Sequence, residues 1–224
     1  MIRTLFFLLL IASFLGQGCQ KSQDEGRNSP SAVSVEEKPE KRNVVLFLGD
    51  SLTAGYGLSQ EEAYPALIEK SWKKQGLSWQ VRNAGVSGYT SGDVLENLSW
   101  CLTSDVYLVF LAIGANDGLR GQKISLLESN LLSIIDACQQ AGAVVVLAGM
   151  KIPPNYGQDY TRDFAMVYSK IASQNRIELL PFLLEGIAGK SEYNLEDGIH
   201  PNAKGHRKIA TMVEEFFKKK RVLP

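Results

Sequence analysis

From Val44 to the C-terminus, short apolar runs alternate with stretches in which apolar residues recur every three or four positions. The runs at Val44–Leu48, Gln80–Asn83, Val106–Ile113, Val144–Met150 and Ile177–Leu180 have the length of strands rather than helices. Each is followed by a helical pattern, at about Glu61–Lys74, Ser91–Leu98, Ile124–Gln140, Thr161–Ala172 and Ala203–Lys219. In the third of these, Ile124, Leu127, Leu131, Ile135 and Cys138 fall at steps of three and four, and Gly142 stands just beyond as a stop. In the last, Ile209, Met212, Val213, Phe216 and Phe217 repeat the pattern, with Asn202 placed to cap the start. Both helices should face the core. Five strand–helix units predict an α/β domain with a five-stranded parallel sheet. Parallel strands are covered on both faces and so read as continuous apolar runs, as Val106–Ile113 and Ala143–Ala148 do. Ligands of such open sheets bind beyond the carboxyl ends of the strands, so motifs placed just after strands carry the most weight.

The first forty or so residues do not share this pattern. Arg3 precedes an uncharged stretch from Leu5 to Leu15, too short for a bilayer span of about 20 residues and of the length of a signal-peptide core. It ends in Leu15-Gly16-Gln17-Gly18-Cys19, which resembles the lipobox of bacterial lipoproteins, although Gly16 stands where a stronger one has Leu. Residues 1–18 are therefore expected to be a signal peptide and Cys19 a lipidation site, with ordinary cleavage and a soluble secreted protein as the alternative. Residues 19–42 are rich in Ser, Glu, Lys, Pro and Gln and hold too little apolar surface to offset the entropy of ordering them. They read as a disordered tether for one domain over residues 43–224, exported to the bacterial cell envelope and held there by the lipid.

Charge and cysteine content narrow the picture. Lys plus Arg equals Asp plus Glu at 24 each, so nothing in the balance suggests a nucleic-acid partner. The cluster Lys218-Lys219-Lys220-Arg221 is a helix end where positive charge suits the dipole. Beyond Cys19 only Cys101 and Cys138 remain. Their spacing leaves a disulfide open, and no C-x-x-C or His/Cys cluster suggests a zinc site.

Four segments follow strands or precede the last helix. Gly49-Asp50-Ser51-Leu52-Thr53-Ala54-Gly55 presents a serine in a tight turn before a helix; an ordinary βα loop with a capping serine would look the same, while the phosphate-loop spacings are absent. Glu196-Asp197-Gly198-Ile199-His200-Pro201 sets an acid three residues before a histidine. That spacing lets the carboxylate hold one ring nitrogen while the other points outward as a base. The chain has two histidines, and His206 should lie on the following helix as a surface or packing residue. Asn83–Thr90 and Ile113–Gly118 offer a glycine backbone N–H and an Asn amide, the donors an oxyanion hole needs. Each of these two segments, taken alone, is also simply a turn.

Together, Gly49-Asp50-Ser51-Leu52, Gly88, Gly114-x-Asn116-Asp117 and Asp197-x-x-His200 resemble the four blocks of the SGNH (GDSL) hydrolases, in order and in matching context over nearly all of residues 44–217. Gly49-Asp50-Ser51-Leu52-x-Ala54-Gly55-Tyr56, Asn116–Gly121, Pro154-Asn155-Tyr156-Gly157 and Asp197–Asn202 are similar in particular to the arylesterase, acyl-CoA thioesterase I and lysophospholipase group. The resemblance implies a flavodoxin-like, three-layer αβα fold with helices on both faces of the sheet. It implies Ser51 as nucleophile, His200 as base and Asp197 as its orienting acid. The implied oxyanion hole is the Ser51 and Gly88 backbones with the Asn116 side chain, and no metal or cofactor is required. Asp50 and Asp117 are expected to fix loops rather than to react.

Tyr89 departs from the small acidic residue that the group carries after Gly88. It is therefore expected, with Ile152 and Pro154, to shape substrate binding. The acyl chain is expected to run toward Ile152–Gly157 and the apolar residues Leu183, Leu184 and Ile187. The implied substrate is a small-molecule or lipid acyl ester or thioester. A carbohydrate O-deacetylase and a noncatalytic envelope-binding lipoprotein are the rival readings, and the oligomeric state is left open.

Overall fold

The computed structural model describes residues 42–224. The signal-peptide, Cys19 and tether readings lie outside the described residues, apart from Arg42 at the tether's end. Five strands, β1 (Val44–Gly49), β2 (Gln80–Gly85), β3 (Val106–Ala112), β4 (Val144–Ala148) and β5 (Glu178–Leu180), form one sheet in the order β2-β1-β3-β4-β5. All neighbouring pairs are parallel. This is the doubly wound, flavodoxin-like order, in which the direction of winding reverses between β1 and β3. The expected α/β class and parallel sheet are thus what the chain forms.

The helices are α1 (Ser51–Ala54), α2 (Tyr64–Lys74), α3 (Ser91–Cys101), α4 (Ala115–Leu119), α5 (Ile124–Gln140), α6 (Gln158–Asn175) and α7 (Ala203–Lys220). α2 packs on α7, whereas α3, α5 and α6 pack in sequence as a second group. On the α2–α7 side the core is aromatic: Phe47 and Phe110 from the sheet meet Tyr64 and Phe217 at ring-centroid distances of 5.6–6.4 Å. α5 keeps the bounds its periodicity predicts. Leu127, Leu131, Ile135 and Cys138 are buried and Ile124 is partly so, while Gly142 takes φ +76° just past the end.

Other boundaries shift for local reasons. The helix expected from Glu61 starts at Tyr64, because Pro65 belongs in a first helical turn and a separate 3₁₀ turn occupies Gln60–Glu62. α6 extends three residues beyond the predicted span at each end, through Gln158-Asp159-Tyr160 and Ser173-Gln174-Asn175, which lack an apolar period. Asn202 caps α7 as expected, accepting from the Lys204 and Gly205 N–H groups. Cys101 and Cys138 are both free thiols; Cys138 is enclosed by α5 packing, and burial pushes its thiol up to about 12.

Candidate active site

β1 ends at Gly49, where a side chain would collide with Thr53 Oγ1 at 2.3 Å and with the Ala112 carbonyl at 2.5 Å. Glycine therefore lets β1, β3 and α1 meet closely at the point of winding reversal. Asp50 caps α1, its Oδ1 accepting from the Leu52 N–H at 3.0 Å. Ser51 is the first residue of that helix and is 9% exposed. Asn83, in β2, seals the same corner by donating to the Thr53 carbonyl at 2.9 Å and accepting from the Gly85 N–H.

His200 reaches this serine from 149 positions further along the chain. Its loop is tied down by a bridge between Asn194 and Pro201, by the Leu195 N–H donating to the His200 carbonyl, and by Asn202 donating to the Glu192 and Asn194 carbonyls. Gly198, at φ +75°, makes the turn that folds Asp197 back on the histidine. Asp197 Oδ1 accepts from the Ile199 and His200 N–H groups, both at 3.0 Å, and Oδ2 meets His200 Nδ1 at 2.7 Å. Nε2 of the same ring lies 2.9 Å from Ser51 Oγ. Partial desolvation works to raise the Asp197 carboxyl, but the His200 N–H, the imidazole and the Ile199 N–H together outweigh it and hold the group down at about 2. Asp197 is thus anionic throughout the neutral pH range.

Asn116 stands on α4, after β3, and anchors its amide nitrogen on the Tyr89 carbonyl at 2.9 Å. An amide has two N–H donors, and among the described residues the second has no acceptor and can meet a ligand. Among the described residues the Ser51 and Gly88 N–H groups have no protein acceptor. Gly88, at φ +85°, does not line the cleft described below but lies in the same loop as Tyr89, and its carbonyl accepts from Arg120 at 2.8 Å. Asp117 is buried and holds α4 to the start of α3 by accepting from the Ser91 N–H and hydroxyl.

A cleft of about 490 Å³ opens beside Ser51, His200 and Asn116. Its apolar wall comes from Met150, Ile152, Pro153, Pro154, Phe182 and Leu184. Of the residues expected to shape binding, Ile152 and Pro154 line this wall and Tyr89 does not. What Tyr89 supplies here is its carbonyl, while its ring packs toward the core. Leu184 faces the cleft, whereas Leu183 and Ile187 are fully buried in the core. Phe182 was not singled out by the sequence, and Arg120 and Tyr56, which lie in the matched segments, carried no expected role. His206 is a packing residue: it is buried, accepts from the Tyr64 N–H at 3.1 Å, and burial lowers its imidazole to about 4.

Residues 47–208 match the GDSL-like lipase/acylhydrolase family. The chain belongs to this family. As a GDSL-like acylhydrolase it is 38% identical to an arylesterase of Vibrio mimicus over 174 residues, covering 76% of this chain and 86% of that one. It is 39% identical to the esterase TesA of Pseudomonas aeruginosa over 158 residues, 70% of this chain and 79% of the relative. Thioesterase 1/protease 1/lysophospholipase L1 of Escherichia coli is 37% identical over 71% of this chain and 76% of its own length. A crystal structure of TesA superposes with a TM-score of 0.76 at 36% identity, covering 80% of this chain and 99% of that one. The psychrotrophic esterase EstA from Pseudoalteromonas, in a structure inhibited by monoethylphosphonate, superposes equally well at 35% identity, over 79% and 97%. The protein is a carboxylic ester hydrolase acting on acyl substrates.

Proposed function

We propose that this acylhydrolase cleaves esters or thioesters of medium to long acyl chains by two-step transfer through Ser51. The observation that carries the proposal is the unbroken chain Ser51 Oγ, His200 and Asp197, at 2.9 and 2.7 Å, standing at the polar end of an apolar cleft. Ser51 Oγ attacks the carbonyl carbon as its proton passes to His200 Nε2, and the oxygen that becomes negative is held by the Ser51 and Gly88 N–H groups and the free Asn116 N–H. The tetrahedral species collapses, His200 returns the proton to the leaving oxygen or sulfur, and the acyl group stays on Ser51. Water, deprotonated by His200, then releases the carboxylic acid. Asp197 holds the imidazole in one orientation and balances the positive charge it acquires.

The wall of Ile152, Pro154, Phe182 and Leu184 gives an acyl chain a surface that an acetyl group does not need. The relatives named as thioesterase and lysophospholipase lend this reading further support. The leader and lipobox-like Cys19 support an anchor in the bacterial envelope, with lysophospholipids or other envelope acyl esters as substrates. Among the described residues no helix is long and apolar enough to cross a membrane.

Hydrolysis of p-nitrophenyl esters from acetate to palmitate, with Ser51→Ala as control, tests the substrate class. Turnover should peak at medium or long chains, and Ile152→Asp should reduce long-chain turnover by about tenfold or more relative to acetate. Activity confined to acetate would favour carbohydrate deacetylation instead, and equal loss at all lengths would remove the cleft from the account. Metabolic palmitate label that persists in Cys19→Ala, or is absent from the native chain, would refute the anchor.

A further inference from the structure

Tyr56 is half exposed on the protein surface, and its ring centroid lies 4.5 Å from that of His200 with the planes 36° apart. Its position is closely specified by the backbone. The flanking Gly55 and Gly57 both take left-handed conformations, at φ +81° and +78°. A side chain at Gly55 would meet Ala63 at 2.7 Å, and one at Gly57 would meet Leu195 at the same distance. The Tyr56 N–H also donates to the Ser51 carbonyl at 3.1 Å. The segment that presents the nucleophile thus also lays an aromatic face on the base. Among the described residues the Tyr56 hydroxyl makes no hydrogen bond, so the ring rather than the hydroxyl is what the site uses.

We infer that Tyr56 is a positioning residue for the reaction: its ring face holds the His200 imidazole between Asp197 and Ser51 and favours the imidazolium formed as Ser51 attacks. An aromatic face carries negative charge density and attracts a cation within about 6 Å of its centroid. The imidazole has Asp197 on one edge and Ser51 on the other, leaving its face as the remaining surface to be covered. The other titratable groups acting on His200 are the buried Asp50 and, with the opposite sign, His206. The inference rests on His200 being the base, and its test separates the two.

The test is a kinetic comparison of Tyr56→Phe, Tyr56→Leu and Tyr56→Ala in the full chain, using one p-nitrophenyl ester and reading kcat and KM separately. Tyr56→Phe should match the native enzyme. Tyr56→Leu keeps an apolar cover of similar bulk without the aromatic charge distribution, and it should lower kcat by about three- to tenfold with KM unchanged. Tyr56→Ala should lose at least as much kcat. Native kcat in Tyr56→Leu would overturn the inference, as would a loss confined to KM, which would make Tyr56 a substrate contact. If Ser51→Ala or His200→Ala retained turnover, the parent reading would fail; if those are inactive and Tyr56→Leu is native, only the role of Tyr56 fails.

Discussion

Asp50 occupies the least accommodating position of any charged residue near Ser51. It is 1% exposed, one oxygen accepts from the Leu52 N–H, and among the described residues the other has no partner. Burial raises its carboxyl to about 6, against the smaller lowering effects of that N–H and of His200. Below about pH 4 an aspartate is protonated in the folded and unfolded chains alike. Between about pH 4 and 6 the unfolded carboxyl ionises while Asp50 in the folded chain keeps its proton, so stability falls as pH rises. By pH 8 that loss is complete and on the order of 2–3 kcal/mol. Asp50→Asn preserves a capping oxygen but cannot ionise, so urea denaturation should show a drop in stability from pH 4 to pH 8 that is smaller than the native one by about this amount. Parallel pH profiles for the two proteins would contradict the assignment. At this scale Asp197 and His200 were legible as a pair because a chain with two histidines offers few bases, and only one of them follows an acid at turn spacing; Ser51, which a capping serine would mimic, stood out only through the resemblance of its segment to the SGNH hydrolases. The contacts of Tyr56 and Arg120 were not legible, although both residues lie in the matched segments, because their partners, His200 and Gly88, are set by the packing of distant loops rather than by any local pattern.

Secondary-structure elements decide whether these side chains meet. α1 is four residues long, too short to hold its place by its own hydrogen bonds, and depends on the strand ends around it. Gly85 at the end of β2 lies so close that a Cβ there would sit 2.3 Å from the Ala54 nitrogen and 2.7 Å from the Thr53 carbonyl carbon. Those are backbone atoms, which cannot swing aside as a side chain does. Gly85→Ala should therefore displace α1 and Ser51 with it. The expected outcome is a loss of about 1–3 kcal/mol in a thermal or urea melt and a larger proportional loss of kcat than of folded protein. Native kcat in that variant would contradict the view that this contact seats the nucleophile. The same dependence on packing explains which elements could be read beforehand. α5 was legible from its apolar period and its terminal glycine. α4, which carries Asn116, spans only Ala115–Leu119 and has no period to detect.

For the whole molecule, the sheet order brings the chemistry together. β1 and β3 are neighbours at the winding reversal, so the serine after β1 and the asparagine after β3 emerge side by side, and the loop before α7 closes over them with the histidine. The alternation of strands and helices was enough to foresee a parallel sheet. It could not show which helices share a face, nor that Leu184 would turn into the cleft while Leu183 turns into the core, because such neighbours differ only by their place in the packed molecule. The account as a whole depends on Ser51 being a nucleophile activated by His200. The most direct test is reaction of the full chain with a fluorophosphonate, read by peptide mass spectrometry beside turnover of a p-nitrophenyl ester. The account predicts one phosphonyl group per molecule on Ser51, turnover lost in step with labelling, and labelling slowed by orders of magnitude in His200→Ala and Asp197→Asn. Folded protein that remains unlabelled, carries the label elsewhere, or hydrolyses esters at the native rate as Ser51→Ala would contradict it.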